Sequence, residues 1–127
     1  MEKLQNNILI IDEYGCSKIC SAILERVGYE TDTVSQANEL PSKLNGDAVG
    51  LIVTSYPYGT SLFDQIKKQN IPTIILSDNI DEKLIDILNN FNNSFCMIKP
   101  IDYDKFKNLV KKVISGDITA QGGYSLV

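Results

Sequence analysis

The sequence predicts an α/β domain built on a single doubly wound parallel sheet. Apolar runs of strand length recur along the chain, and segments with helical apolar spacing separate them, as crossover connections between parallel strands require. Three of the runs are almost wholly apolar, the pattern of central strands covered on both faces.

The elements follow in order. Ile8–Ile11 (ILII) is the first strand candidate. Ser17–Val27 follows as a helix, with Ile19, Ile23 and Val27 four apart and Cys20 and Leu24 at the same spacing, and Gly28 stands where it would stop. Tyr29–Val34 (YETDTV) is a weaker, more polar strand. Gln36–Leu44 makes a poor helix, because Pro41 cannot donate an interior hydrogen bond; it is expected short, or restarted at Pro41. Val49–Val53 (VGLIV) is the third strand, and Thr60–Gln69 a helix carrying Leu62, Phe63 and Ile66. Thr73–Leu76 (TIIL) precedes a helix over Asp81–Asn90 with Leu84, Ile85 and Leu88, behind the capping-type residues Asp78 and Asn79. Phe95–Ile98 (FCMI) precedes the last helix, Tyr103–Ile114, with Phe106, Leu109, Val110 and Val113. These are five βα units without an internal repeat. Residues 1–115 form the expected domain; 116–127, with Gly116, Gly122 and Gly123 and no periodicity, read as a flexible tail or the start of a linker.

Composition narrows the chemistry. The chain has 127 residues, one domain's worth, and 12 Lys and Arg against 16 Asp and Glu leave a net charge of −4. It has no His, so a phosphohistidine donor, a His-based catalytic triad and a His-containing zinc site cannot be built from this chain alone. With 43% hydrophobic and 22% charged residues it is an ordinary globular composition, able to bury roughly two-thirds of its unfolded surface. The odd set of Cys16, Cys20 and Cys96, and the absence of a signal-like segment in MEKLQNN, point to a reducing cytoplasm. No apolar run approaches the roughly 20 residues that span a bilayer, and net acidity argues against a nucleic-acid surface, so neither membrane nor nucleic acid is an expected partner.

In an open parallel sheet the functional crevice lies at the carboxyl ends of the strands. The residues there are Asp12 and Glu13 after the first strand, Thr54, Ser55, Tyr56 and Pro57 after the third, Ser77 and Asp78 after the fourth, and Lys99 and Pro100 after the fifth. Paired carboxylates suit Mg²⁺, while a hydroxyl and an ammonium suit a phosphoryl group, so the layout is one that handles phosphate.

Four motifs in register then resemble the response-regulator receiver family over about residues 7 to 115. ILIIDE (8–13) looks like its first strand and acidic pair, and LERVGYE (24–30) like the end of its first helix and entry to its second strand. IPTIILS (71–77) resembles its fourth strand ending in Ser or Thr, and IKP (98–100) its Lys-Pro. The resemblance implies a flavodoxin-like, CheY-like (βα)5 fold with strand order 2-1-3-4-5 and a role in two-component signal transduction. By position it implies Mg²⁺ ligation by Asp12 and Glu13, phosphoryl sensing by Ser77, phosphoryl contact by Lys99 and a cis Lys99–Pro100 bond.

The phosphoacceptor aspartate of that family has no counterpart. Counting back from Pro57 reaches Val53, counting along the apolar strand reaches Thr54, and no Asp or Glu lies between Asp47 and Asp64. The degenerate phosphorylation site is therefore Val53, Thr54, Ser77 and Lys99, and aspartyl phosphorylation is expected to be absent. Thr54 or Ser55 would be a poor substitute, since a hydroxyl without an adjacent base is a weak nucleophile. Asp12 and Glu13 alone would hold Mg²⁺ weakly. Asp78 either supplies a third oxygen ligand, pairs with Lys99, or caps the following helix; Lys99 is expected to pair with Asp12 or Asp78. Cys16 and Cys20 are expected to pack rather than ligate. Cys96 stands where the family has an aromatic, with Phe95 one position off.

The expected function is that of an atypical receiver domain acting by phosphorylation-independent protein–protein interaction, with a signalling protein or its own output domain as partner. It is expected to be neither an enzyme nor dependent on a cofactor. Acidic Asp81, Glu82 and Asp86 on the fourth helix and basic Lys105, Lys107, Lys111 and Lys112 on the fifth mark a candidate homodimer face. The alternatives are a small-ligand or anion sensor using the crevice, or a weakly Mg²⁺-binding receiver with another phosphoacceptor; a flavodoxin-like catalyst ranks last because no Gly-rich phosphate loop is present.

Overall fold

The computed structural model describes residues 7–46, 49–120 and 123–127; readings that fall on residues 1–6, on Asp47 and on Gly122 lie outside them. Among the described residues, β1 (Asn7–Ile11), β2 (Glu30–Thr33), β3 (Val49–Tyr56), β4 (Thr73–Ser77), β5 (Asn93–Ile98) and β6 (Gly123–Leu126) form one sheet. The strand order is 2-1-3-4-5-6 and every neighbouring pair is parallel. The first five strands stand in the expected order, but the expected count of five is corrected to six. Residues that the sequence assigns to a tail return along α5 and pair with β5 from Asn93↔Gly123 to Cys96↔Leu126. Backbone bonds hold this strand, among them Gly123 N–H to Asn92 O at 2.9 Å and Val127 N–H to Cys96 O at 2.8 Å. Four residues joined in this way leave almost no side-chain period to read.

Helices cover both faces. α1 (Tyr14–Arg26) and α5 (Tyr103–Ser115) pack on one, where Leu24 and Phe106 meet Ile8, Ile10, Val53 and Phe95. α2 (Leu40–Gly46), α3 (Phe63–Lys67) and α4 (Glu82–Asn89) pack on the other, where Leu40, Phe63 and Leu84 meet Leu9, Ile52 and Ile75. Successive side chains of a strand point to opposite faces, so each central strand supplies both cores and must be apolar throughout.

α1 buries Ser17, Cys20 and Leu24, whereas Ile19 and Val27 of the expected stripe are 47% and 50% exposed. A strict four-residue repeat drifts about 40° per step around a 3.6-residue helix, while the 3-then-4 spacing of Ser17, Cys20 and Leu24 stays on one face. Gly28 ends this helix at φ +100°, a left-handed conformation that suits glycine. Pro41 lies in the first turn of α2, after a 3-10 turn over Ala37–Glu39. The backbone N–H groups of Ser35 and Gln36 donate to the Glu39 carboxylate there and hold its carboxyl below the usual range. α4 is capped by Asp81, whose Oδ1 accepts from Leu84 N–H at 2.8 Å, so capping by Asp78 is corrected: Asp78 lies exposed three residues upstream.

Candidate functional site

The strand registers set the crevice. Ile11 pairs with Thr54, Tyr56 with Ser77 and Ser77 with Ile98, so Asp12, the end of β3, the end of β4 and Lys99 come level at one edge of the sheet. Asp12 continues the β1 face of Ile8 and Ile10, and is 3% exposed. Its Oδ1 accepts from Ser55 Oγ at 2.7 Å and from Glu13 N–H at 2.7 Å. Its Oδ2 faces Lys99 Nζ at 3.6 Å, and has no hydrogen-bond donor among the described residues. The expected pairing of Lys99 is thus with Asp12 and not with Asp78. An isolated buried carboxylate would be strongly disfavoured, and the ammonium beside it supplies the compensating charge.

Ser55 is the site residue that the degenerate-site assignment misses. Val53 is fully buried in the core beneath α1 and α5, and Thr54 is fully buried on the opposite side of β3. The period of a strand puts Ser55 on Val53's face one step further along, in contact with Asp12. Extending the β3 alternation by two residues would have found it. Thr54 Oγ1 has no hydrogen-bond partner among the described residues and lies under Gly59, where a Cβ would stand 2.3 Å from it. Neither Val53 nor Thr54 can receive a group from solvent in this arrangement.

The remaining expected residues do not converge. Glu13 is exposed and engages Asp12 only through its backbone N–H. The Ser77 hydroxyl donates to Asn79 O in its own loop, while Ser77 O accepts from Lys99 N–H at 2.8 Å. Cys16 Sγ lies 4.0 Å from Lys99 Nζ. Cys20 is buried, and loss of hydration, with the Asp12 carboxylate second, pushes its thiol up to about 12; burial likewise raises the Cys96 thiol. Both are packing residues. The bonds Tyr56–Pro57 and Lys99–Pro100 are both cis.

A divalent ion of the kind the receiver resemblance implies does not fit this donor set. One oxygen of Asp12 is occupied by two donors and the other faces an ammonium; among the described residues no three Cys, Asp or Glu groups come close enough to share an ion.

Beside the crevice, Tyr56 ends β3 and its hydroxyl donates to the Asp81 carboxylate at 3.2 Å, tying the end of β3 to the cap of α4. Desolvation and that carboxylate raise the phenol above its ordinary value of 10.0. Asp81 is therefore engaged within the fold, and Lys107 pairs with Asp104 at 3.3 Å on its own helix. Glu82, Asp86, Lys105, Lys111 and Lys112 stay exposed. The face between α4 and α5 carries β6, because the sixth strand lies on the edge of β5 that separates them.

No family model matches the sequence, and no curated protein matches it. Solved structures do match the fold. NtrX from Brucella abortus in complex with ATP is 24% identical, with a TM-score of 0.74, over 87% of this chain and 26% of that one. A CheY-like response regulator receiver domain protein from Methanospirillum hungatei is 20% identical, with a TM-score of 0.74, over 87% and 94%. The beryllofluoride-activated NtrC4 receiver domain dimer is 21% identical, with a TM-score of 0.73, over 87% and 98%. The chain has the receiver-domain fold. It spans about a quarter of NtrX and nearly the whole of the isolated receiver domains. No described helix is long and apolar enough to cross a membrane.

Proposed function

We propose that this chain is an atypical receiver module of two-component signalling that works by binding protein, without a phosphorylation step and without a required metal. The observation that carries the reading is the set Ser55–Asp12–Lys99: the groups that would handle a phosphoryl group and its cation engage one another, one Asp12 oxygen through the Ser55 hydroxyl and the other through the Lys99 charge at 3.6 Å. Two further facts support it. The side chain beneath the β3–α3 loop is Thr54, sealed by Gly59, and the Ser77 hydroxyl is turned into its own loop. The chain has no His, and the carboxylate that accepts from Ser55, Asp12, is itself tied to Lys99, which leaves it a weak base for that hydroxyl. The module is not an enzyme in this reading.

An anion sensor at the same crevice is disfavoured by charge, because the one ammonium at the site faces a buried carboxylate 3.6 Å away. A homodimer through α4 and α5 is disfavoured by β6, which lies between them. The expected state is a monomer whose partner is another protein or a neighbouring domain, working in the cytoplasm. Light scattering after size exclusion at high micromolar concentration should give one chain's mass, and a dimer mass would restore the symmetric reading.

The deciding experiment is a titration with Mg²⁺ and then beryllofluoride, followed by the amide signals of Asp12, Ser55, Ser77 and Lys99. All four are expected to stay still while the spectrum remains folded. Concerted movement at millimolar Mg²⁺ or below would overturn the reading in favour of a crevice that still binds ligands.

A further inference from the structure

The two edges of the sheet are built differently. β2 carries Glu30 and Asp32, and Lys43 Nζ reaches Asp32 Oδ2 at 2.7 Å, so charge guards that edge. Residues 123–127, GYSLV, have no charged side chain and no proline, and Leu126 and Val127 are 51% and 46% exposed. Edge strands of soluble proteins are ordinarily blunted by charge, proline or a bulge, since their unpaired backbone groups invite another strand. Gly123 N–H points to Asn92 O, just before β5, and Val127 N–H to Cys96 O within it, and strand period 2 turns the N–H groups of Tyr124 and Leu126 outward. Among the described residues no strand pairs with that outer side.

Next to this edge a groove of about 550 Å³ runs between β6 and α5. Phe95, Leu109, Ser125 and Val127 line it, and Lys105 and Lys112 stand on its rim. Both lysines are exposed. They are two helical turns apart, about 10 Å along the axis, while side chains on one face of a strand recur every ~7 Å. The flexible four-carbon lysine stems take up the difference of a few Å, so an extended segment with acidic groups on its α5-facing side can meet both ammonium groups while its backbone extends the sheet.

We infer that the outer edge of β6 is a docking site for an extended acidic peptide segment of a partner protein, added as a seventh strand. Main-chain bonds to Tyr124 and Leu126 supply the pairing, and Lys105 and Lys112 select acidic over basic segments. The inference rests on the reading of a protein-binding module only in taking the partner to be protein; the peptide experiment probes the edge and the beryllofluoride experiment the crevice, so either can fail alone.

The test titrates the full chain with a synthetic octapeptide alternating valine and glutamate, and with its valine–lysine counterpart, reading amide NMR signals. The glutamate peptide is expected to shift Tyr124, Ser125 and Leu126 saturably and to bind at least tenfold tighter than the lysine peptide. Leu126→Pro, which removes an outward N–H, should weaken binding at least tenfold. The exposed double substitution Lys105→Glu with Lys112→Glu should reverse the peptide preference in a folded protein. The inference is overturned by still signals at millimolar peptide, by equal binding of the two peptides, or by self-association that engages the Tyr124 and Leu126 amides and shows the edge to belong to a second copy.

Discussion

At the carboxyl end of the sheet the polar groups face one another, and at the β6 edge they face solvent. Asp12, Ser55, Lys99 and the backbone of Glu13 form a set with little capacity left for a ligand. β6 instead leaves outward N–H and C=O groups and a cationic rim uncommitted along an uncharged strand. Both regions belong to one parallel sheet, yet only at the carboxyl end do the polar side chains engage one another, Asp12 Oδ1 by hydrogen bonds and Asp12 Oδ2 by the Lys99 charge. Stability is therefore expected to lie with the first region and binding with the second: substitutions in the Asp12 set should destabilise the protein, and substitutions at the open edge should change what it binds.

The largest effect should come from Lys99→Met. It leaves Asp12 buried without a counter-charge, and breaking such a pair costs several kcal/mol; with the ammonium side chain 20% exposed, about 2–3 kcal/mol is expected in urea unfolding. Asp12→Asn in the same background should recover part of the loss, because it removes the charge that was stranded. A loss below about 0.5 kcal/mol, the range of an ordinary surface substitution, would show that the crevice is not closed by this pair. Gly59→Ala comes next. Its Cβ would meet Thr54 Oγ1 at 2.3 Å and Ser55 O at 3.0 Å, an overpacking that costs about 1–3 kcal/mol, and Thr54→Ala should relieve the first contact.

How much of this was legible in the sequence depended on what kind of contact carried each feature. The four inner strands were readable because burial on both faces forces continuous apolar runs such as Ile8–Ile11 and Thr73–Leu76, and the edge strand β2 from its place between two helical segments. The carboxylate and lysine of the crevice were readable from their motifs, and the structure pairs them. Ser55 was not assigned, because β3 runs on through the polar and aromatic residues Thr54–Tyr56 after its apolar pattern stops. β6 was unreadable for a different reason: its pairing is made by backbone groups that every residue possesses, in a glycine-bearing segment that looks like a tail. Where side chains carry the energy the sequence shows it, and where the main chain does, it does not.

Tyr56→Phe tests the seam between the closed end and α4. Losing the hydrogen bond to Asp81 should cost about 1 kcal/mol near neutral pH. The pH dependence has a definite sign. A phenol raised in the folded state favours folding wherever it is protonated, so its contribution is full below the ordinary value of 10.0 and is lost as pH rises through the higher folded value. Melting curves between pH 8 and 11 should therefore fall more steeply for the parent chain than for the phenylalanine variant. Equal slopes would mean that Tyr56 is not held by Asp81 in solution.

The smallest expected effect is also the sharpest test of the open edge. Leu126→Pro and Ser125→Pro alter neighbouring residues of one short exposed strand, and a scale of burial alone would rank them alike. Their N–H groups point in opposite directions: with Gly123 N–H bonded to Asn92 O and Val127 N–H to Cys96 O, that of Ser125 points inward and that of Leu126 outward. Proline removes the donor in both cases, and the residue before each is already extended, as proline requires. Ser125→Pro should then break the β5–β6 ladder at a cost of about 1 kcal/mol and speed amide exchange along residues 123–127. Leu126→Pro should leave stability within about 0.5 kcal/mol of the parent while abolishing strand addition at the edge. If both prove equally costly, the outer side of β6 is already committed within the fold, and the contrast between a closed end and an open edge fails at the edge.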